Sequence, residues 1–518
     1  MANKSVFASM KGRFLSKTDT TNMAQAPAYT YSDAHALAQL AMTGTFGATF
    51  YQDPKQELEK VLAVANKVEP SFLAKAAVYT RKAGHMKDMP ALLLAVLAGR
   101  DPILFRQVFG QVVDNGKMLR TFVQIMRSGQ TGRKSLGSAP KAMVANWLIA
   151  ASDRALLQAN VGNDPSLADV VKMVHPKPGN PRREALFAWI IGKPCDLALL
   201  PQAVQDFVAF KTSGQGDVPD VPFQMVTQLP LSTQQWAQIA KSASWQMVRM
   251  NLNTFLRHGV LAEPGMRAHL AAVLRDPARI AKARVLPYQL MTTYQALSAE
   301  VPQEIREALH DAMELAVQNV PELSGRVVVC PDVSGSMSGA VTGYRKGATT
   351  ATRYVDVAGL VSAAILRRNR DALVLPFEVT VRNTRLEPRD TILTNAARLA
   401  EQWGGGTNCA APLQWLLDRR KPVDLVIMVS DNQSWAHSAY GGNGTVMMQT
   451  WEKLKQRNPA ARLVCIDIAP YGTTQAKERD DVLNVGGFSD AVFDQIAAFA
   501  GGKMGPDHWV GEIEKTAL

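Results

Sequence analysis

Three short runs in the carboxyl-terminal part of the chain carry oxygen donors in an order that suits a hard divalent cation. The first, Asp332-Val333-Ser334-Gly335-Ser336, follows the apolar run Val327 to Cys330 and offers one carboxylate and two hydroxyls at alternate positions. Mg²⁺ takes oxygen ligands in near-octahedral geometry and keeps some water, so Asp332, Ser334 and Ser336 form a suitable partial set. The second run is Gly404-Gly405-Gly406-Thr407-Asn408, where Thr407 offers a third hydroxyl on a backbone made pliable by glycine. The third is Val429-Ser430-Asp431-Asn432, which places a second carboxylate, Asp431, after the apolar run Val423 to Val429. The competing explanation is ordinary loop residues with Asp332 capping the next helix. Five donors in the right order favour the cation, with Mg²⁺ as the expected ion.

Such donors need strand ends to hold them. Apolar runs predict strands over Val327–Cys330, Ala372–Phe377, Val423–Val429 and Arg462–Ile468, alternating with helices near Asp356–Arg368, Thr391–Gln402, Ala411–Arg419, Val446–Gln456 and Asp490–Ala500. That alternation predicts a parallel sheet covered on both faces, with the ligand loops at the carboxyl ends of its strands. Asp490–Ala500 is expected to be the last helix. Upstream, the 3.6-residue period that begins at Ala34, Leu37, Leu40 and Ala41 continues to about Asn319 without a clear strand. So long a run of helices predicts an α-solenoid of HEAT-like repeats, a compact irregular bundle being the alternative. Residues 1–29 are polar and aperiodic and are expected to form a flexible arm. The expected divisions are therefore 1–29, 30–320 and 321–518.

Composition narrows the class. The 518 residues are 47% hydrophobic, as in ordinary globular proteins. Lys4, Lys11, Arg13 and Lys17 interrupt the amino-terminal stretch, and the apolar run Ala91 to Ala98 is far too short to span a bilayer. Four cysteines form no CxxC pair, and Cys330 and Cys465 fall inside strand patterns as core thiols. A cytoplasmic protein without a membrane role is expected. Residues 1–320 hold 35 Lys+Arg against 24 Asp+Glu, whereas residues 321–518 hold 22 against 21. The excess positive charge thus precedes the metal-type loops, which suggests an anionic partner, nucleic acid first; a solvated basic surface is the plainer explanation.

Within that half, residues 127–183 concentrate Arg127, Arg133, Lys134, Lys141, Lys172 and Lys177 among few acids. Such a cluster can neutralise phosphates and release counterions. Ser138 can add a hydrogen bond to phosphate or sugar, and His175 can do so or stack on a base. Pro176, directly after His175, also allows a purely structural role at a helix end. Trp147, Trp189, Trp236 and Trp245 sit at helical spacing and are expected in the core.

The Asp-x-Ser-x-Ser, Thr and Asp runs resemble the metal-ion-dependent adhesion site of von Willebrand factor A (vWA) domains. Further segments resemble the Ro autoantigen family, which joins a helical TROVE domain to such a domain. They are Lys282-Ala-Arg-Val-Leu-Pro-Tyr-Gln-Leu-Met291, Met173-Val-His-Pro-Lys-Pro178, Gly132–Ala142 leading into Trp147, Gly405–Pro412 and Ser430-Asp-Asn432. The resemblance covers the chain from about residue 30 onward. It implies a monomeric ring of helical repeats closed by an α/β, Rossmann-like vWA domain, binding Y-like small noncoding RNA and single-stranded 3′ ends of misfolded RNA. For a bacterial member it further implies tethering to an exoribonuclease such as polynucleotide phosphorylase. Gln158 and Gly162 stand where the family carries basic residues, so the outer RNA surface departs from the pattern.

Two classes of function follow. One is a noncatalytic RNA-binding protein of RNA quality control; the other is a metal-dependent protein-binding adaptor whose partner supplies a carboxylate to the metal. Catalysis is disfavoured: no P-loop or paired-metal carboxylates occur, and His437 is the one candidate base.

Overall fold

The computed structural model describes residues 15–518 except 284, 286, 319, 342, 345–351, 436–443, 488 and 505–506. The chain forms two compact units, one from residues 1–61 and 317–512, the other from 62–316 and 513–518.

The first unit is built on a five-stranded sheet. Its strands are β3 (Val327–Pro331), β4 (Leu373–Val374), β5 (Leu425–Ser430), β6 (Arg462–Asp467) and β8 (Val482–Gly486), all parallel in the order β4-β3-β5-β6-β8. Residues of β3, β5 and β8 are buried throughout, which explains why β3 and β5 read as unbroken apolar runs rather than alternating ones. Helices Tyr354–Arg368, Ile392–Ala400, Ala411–Asp418 and Val446–Arg457 lie in the crossovers, and Asp490–Ala500 follows β8. From β3 the chain goes to β4 on one side, then returns to β5 on the other. The order therefore reverses at the β3–β5 junction, the place where open α/β sheets bind ligands beyond their carboxyl ends.

Four predicted strands are present, with β4 shorter than expected. β8 was not read from the sequence, and a helix at His508–Glu514 follows Asp490–Ala500, which is thus not the last.

The amino-terminal segment also departs from expectation. Residues 15–29, read as part of a flexible arm, are folded onto the α/β unit: β1 (Thr20–Thr21) pairs antiparallel with β2 (Pro27–Thr30), and β2 pairs with β7 (Thr473–Thr474). Tyr29 is fully buried in one apolar cluster with Val328, Val426, Leu463 and Trp451. Helix Asp33–Thr43, assigned from its period to the helical array, packs on β8 instead, and His35 meets Trp509 edge-on at 5.6 Å. Periodicity identifies a helix but not the layer that buries its apolar stripe.

The second unit is helical, with no strand among the described residues of 62–316. Its helices include Pro70–Lys82, Asp88–Arg100, Pro102–Val112, Gly116–Arg127, Ser138–Ala150, Asp153–Ala159, Leu167–Val174 and Pro181–Ile190. Their apolar faces interlock: Phe105, Phe109 and Phe122 lie with ring centroids 5.6 to 5.8 Å apart. Trp236 and Trp245 are core residues as expected, the Trp245 indole donating to Leu274 O at 3.0 Å. Trp147 and Trp189 are only half-buried.

Candidate functional site

The three donor loops meet above the β3–β5 junction because backbone hydrogen bonds stitch them together. Asp332 N–H donates to Val429 O (2.9 Å), Gly335 N–H to Gly405 O (3.0 Å), Gly404 N–H to Val333 O (2.8 Å) and Trp435 N–H to Thr407 O (2.9 Å). Two glycines permit this approach. Gly405 has φ +75°, and a side chain there would collide with the Glu378 carboxylate; one at Gly406 would collide with the Trp435 indole.

Asp332, Ser334, Ser336, Thr407 and Asp431 are all buried. Asp332 Oδ1 accepts from Ser334 N–H (2.8 Å), and its Oδ2 accepts from the Ser430 hydroxyl (2.6 Å). The Ser334 and Ser336 hydroxyls are 3.3 Å apart. Asp431 Oδ1 accepts from Gln433 N–H (3.1 Å), but its buried Oδ2 has no hydrogen-bond partner. Burial, then the charge of Asp431, pushes the Asp332 carboxyl up to about 7 against the pull of bonds from Ser334 and Ser430. Burial likewise pushes Asp431 up to about 6.

Two buried carboxylates without a cation, one with an oxygen left unpartnered, form a costly arrangement. A hard cation would relieve it, and the donor set of two carboxylates and three hydroxyls has the right chemistry. Among the described residues no three His, Cys, Asp or Glu side chains gather as a metal site, so hydroxyls must make up the set. The residues therefore fit a single Mg²⁺-type ion. They do not form a site for a thiolate- or imidazole-loving metal.

The sequence missed the supports. Ser430, one residue before Asp431, was visible in the motif but not read as a partner for Asp332. Asn22 and Met23 left no local signal: the Asn22 amide donates to Ser434 O (2.6 Å), and Met23 N–H donates to the Gln433 side chain (2.7 Å). The amino-terminal segment thus braces the third donor loop. Tyr31 similarly donates to Asp467 Oδ2 (2.9 Å) at the end of β6, and burial raises that carboxyl to about 8. His437 lies outside the described residues.

The basic candidates lie in the helical unit on neighbouring pieces of chain. Arg127 ends helix Gly116–Arg127; Arg133 and Lys134 occupy the following loop; Ser138 and Lys141 open helix Ser138–Ala150. Lys172 sits in the last turn of helix Leu167–Val174, His175 is its left-handed cap (φ 50°), and Lys177 follows. All eight side chains are exposed. Arg127 reaches across to the Met173 sulfur at 3.7 Å, which places the ends of two of these helices side by side. Among the described residues none of the six Lys and Arg has an ion-pair partner, unlike Arg183, which pairs with Asp153 at 3.3 Å. His175 therefore has the helix-end role and an exposed ring together. Gln158 is exposed, and Gly162 (φ +104°) makes room for the Arg120 guanidinium, which donates to Val161 O at 2.6 Å.

Residues 326–500 match the family model described as the Ro60 vWA domain. The chain is 26% identical over 538 residues to RNA-binding protein RO60 of Deinococcus radiodurans, covering 95% of this chain and 97% of that one. It is 24% identical over 250 residues to RNA-binding protein RO60 of Caenorhabditis elegans, covering 45% of this chain and 36% of the worm protein. The crystal structure of the D. radiodurans RO (RSR) protein has the same fold, with a TM-score of 0.61 at 21% identity over 91% of this chain and 100% of that chain. The resemblance drawn from the sequence is borne out. No described helix is long and apolar enough to cross a membrane.

Proposed function

With residues 326–500 as a domain of the Ro60 vWA family and the whole chain Ro-like, we propose that this protein is a noncatalytic RNA-binding protein of RNA quality control. In this reading it binds a Y-like small noncoding RNA and the single-stranded 3′ ends of misfolded RNA, and works with an exoribonuclease in the cytoplasm. One observation carries it: the exposed side chains of Arg127, Arg133, Lys134, Lys141, Lys172 and Lys177, for which no ion pair is formed among the described residues, in a chain similar over 95% of its length to a protein named for binding RNA. Phosphates are the natural counterions of such a surface, and the half-exposed Trp147 and the His175 ring offer planar neighbours for bases.

The metal belongs to the same proposal. Asp332, Ser334, Ser336, Thr407 and Asp431 would hold Mg²⁺, whose charge would neutralise two buried carboxylates and tie three loops to one centre. Ser430, Gln433 and Asn22 orient those ligands.

The test is isolation from the native host at low salt and sequencing of the RNA retained. One abundant structured small RNA supports the reading; a spread of unrelated 3′ ends supports its quality-control half alone. No RNA above background overturns it.

A further inference from the structure

Away from the donor loops, the α/β unit has a cavity at the opposite end of its sheet. Arg326 immediately precedes β3 and Asp424 immediately precedes β5, so this end carries the amino termini of the strands. The cavity, of about 560 Å³, is lined by residues from the ends of helices Ala411–Asp418 and Val446–Arg457 and from the start of β3. That size suits a small-molecule ligand. Leu416, Leu417 and Leu454, all buried, form an apolar floor, and the exposed Arg326, Arg420, Lys421 and Arg457 stand around it. No carboxylate is among the described residues that line it. Asp424 engages Arg326 through two bonds (2.9 and 2.7 Å), whereas Arg420 and Lys421 form no ion pair among the described residues. Arg457 donates to Leu417 O at 2.7 Å, which fastens the two helix ends to each other.

Arg420 is the telling residue. Lys421 N–H donates to Leu416 O (3.0 Å) and Arg420 N–H to Leu417 O (3.1 Å), the Schellman pair that ends a helix with its second bond on a left-handed residue. That residue is Arg420, at φ 50°. Glycine is the usual occupant of such a position because a Cβ is disfavoured there. Offsetting the negative end of a helix dipole accounts for cations in this region. It does not account for an arginine at the position where glycine is easier, and a strained residue held at a cavity mouth points to a ligand. We propose that the cavity binds the phosphomonoester of a nucleotide, with Arg420, Lys421 and Arg457 on the phosphate and the leucine floor under the sugar and base. A phosphomonoester carries about −1.5 to −2 charges at neutral pH, which suits several unshared cations better than a single carboxylate does. The phosphate arrives on a free mononucleotide or on the 5′ end of an RNA, and the same chemistry recognises both. The site uses none of the residues of the basic helical surface or of the donor loops.

The experiment titrates the full chain with AMP by calorimetry, with adenosine as the ligand that lacks phosphate. Wild type is expected to bind AMP with a dissociation constant below about 1 mM, and adenosine at least about tenfold more weakly. Arg420→Gly should weaken AMP about tenfold while its melting temperature stays level or rises, because glycine relieves the left-handed backbone. Lys421→Gln should weaken AMP roughly three- to tenfold. Lys134→Glu, on the helical unit, should leave AMP binding unchanged. A 5′-phosphorylated oligoribonucleotide that displaces AMP when its 5′-hydroxyl counterpart does not identifies the RNA end as the source. Failure of both to displace AMP identifies the free nucleotide. No AMP binding by wild type, equal affinity for adenosine, or full AMP affinity in either pocket variant overturns the site. Displacement of AMP by the 5′-hydroxyl oligonucleotide, or its loss in Lys134→Glu, also overturns it. If Arg420→Gly fails to fold by near-ultraviolet circular dichroism, Lys421→Gln alone decides.

Discussion

The two candidate sites differ in almost every physical respect. The donor loops of the α/β unit are buried, hold two carboxylates away from water, and owe their geometry to backbone hydrogen bonds between loops. The basic surface of the helical unit is exposed, and its cations stand on separate helix ends and a loop. As a proposed cation site the first is a few-atom arrangement in which each ligand would be needed. The second is a field in which each charge adds a share. The expected consequence is a difference in mutational grain: all-or-none in one unit, graded in the other.

The largest expected effect tests that difference directly. Asp332→Asn should cost Mn²⁺ at least about a hundredfold in affinity by calorimetry, since even changes behind the ligands cost ten- to a hundredfold. It should leave RNA binding in a filter assay unchanged; equal loss of both would erase the contrast.

Next is pH. Asp332 and Asp431 are raised to about 7 and about 6, and burial also raises Asp467 and Glu478 to about 8. Folded carboxyls with raised values hold protons that the unfolded chain has released, so stability is lost as pH rises from roughly 4 to 8. In EDTA the melting temperature should fall across that window, and Mg²⁺ should flatten the fall between pH 6 and 8. A profile that rises with pH and ignores Mg²⁺ would break the metal half of the comparison.

Asn22→Ala should come third, at about 1–3 kcal/mol in urea denaturation, because it removes the buried bonds to Ser434 O and Ala26 N–H. An unchanged midpoint would show that the amino-terminal brace is dispensable. The smallest single effects belong to the basic field. Lys134→Glu and Lys141→Glu should each lower the slope of log affinity against log salt by about 1 and act additively. An abrupt loss from either alone would mean that the surface, too, is a few-atom site.

Legibility in the sequence followed the range of the interactions. β3 and β5 were readable because strands buried on both faces are unbroken apolar runs, and the donors follow them directly. β8 was not, because Asn484 interrupts its run; that side chain is buried by hydrogen bonds to Ala476 O and Glu478, partners a window does not reveal. The donor residues were legible from spacing, while Asn22 and Glu378, which contact the same loops, lie far from them in sequence and carry no pattern of their own. The basic cluster was visible as composition. Its exposure depended on how the helices pack.

The pairing of β2 with β7 sets a timetable for synthesis. Gln475 donates to Pro27 O across 448 residues of chain, so the strand at Pro27–Thr30 exists long before its partner. At translation rates of about 5–20 residues per second, that interval is roughly 20–90 s. Throughout it the edge of β2 that pairs with β7 is open, and Tyr29 has no cover from the sheet until residues from Val328 onward are made, while residues 62–316 emerge and can fold. Assembly of the α/β unit is therefore a closing event, made when the ends of a long excursion meet, and the nascent chain is most vulnerable to trapping by a chaperone or a neighbouring chain at β2, which waits for a partner made far later.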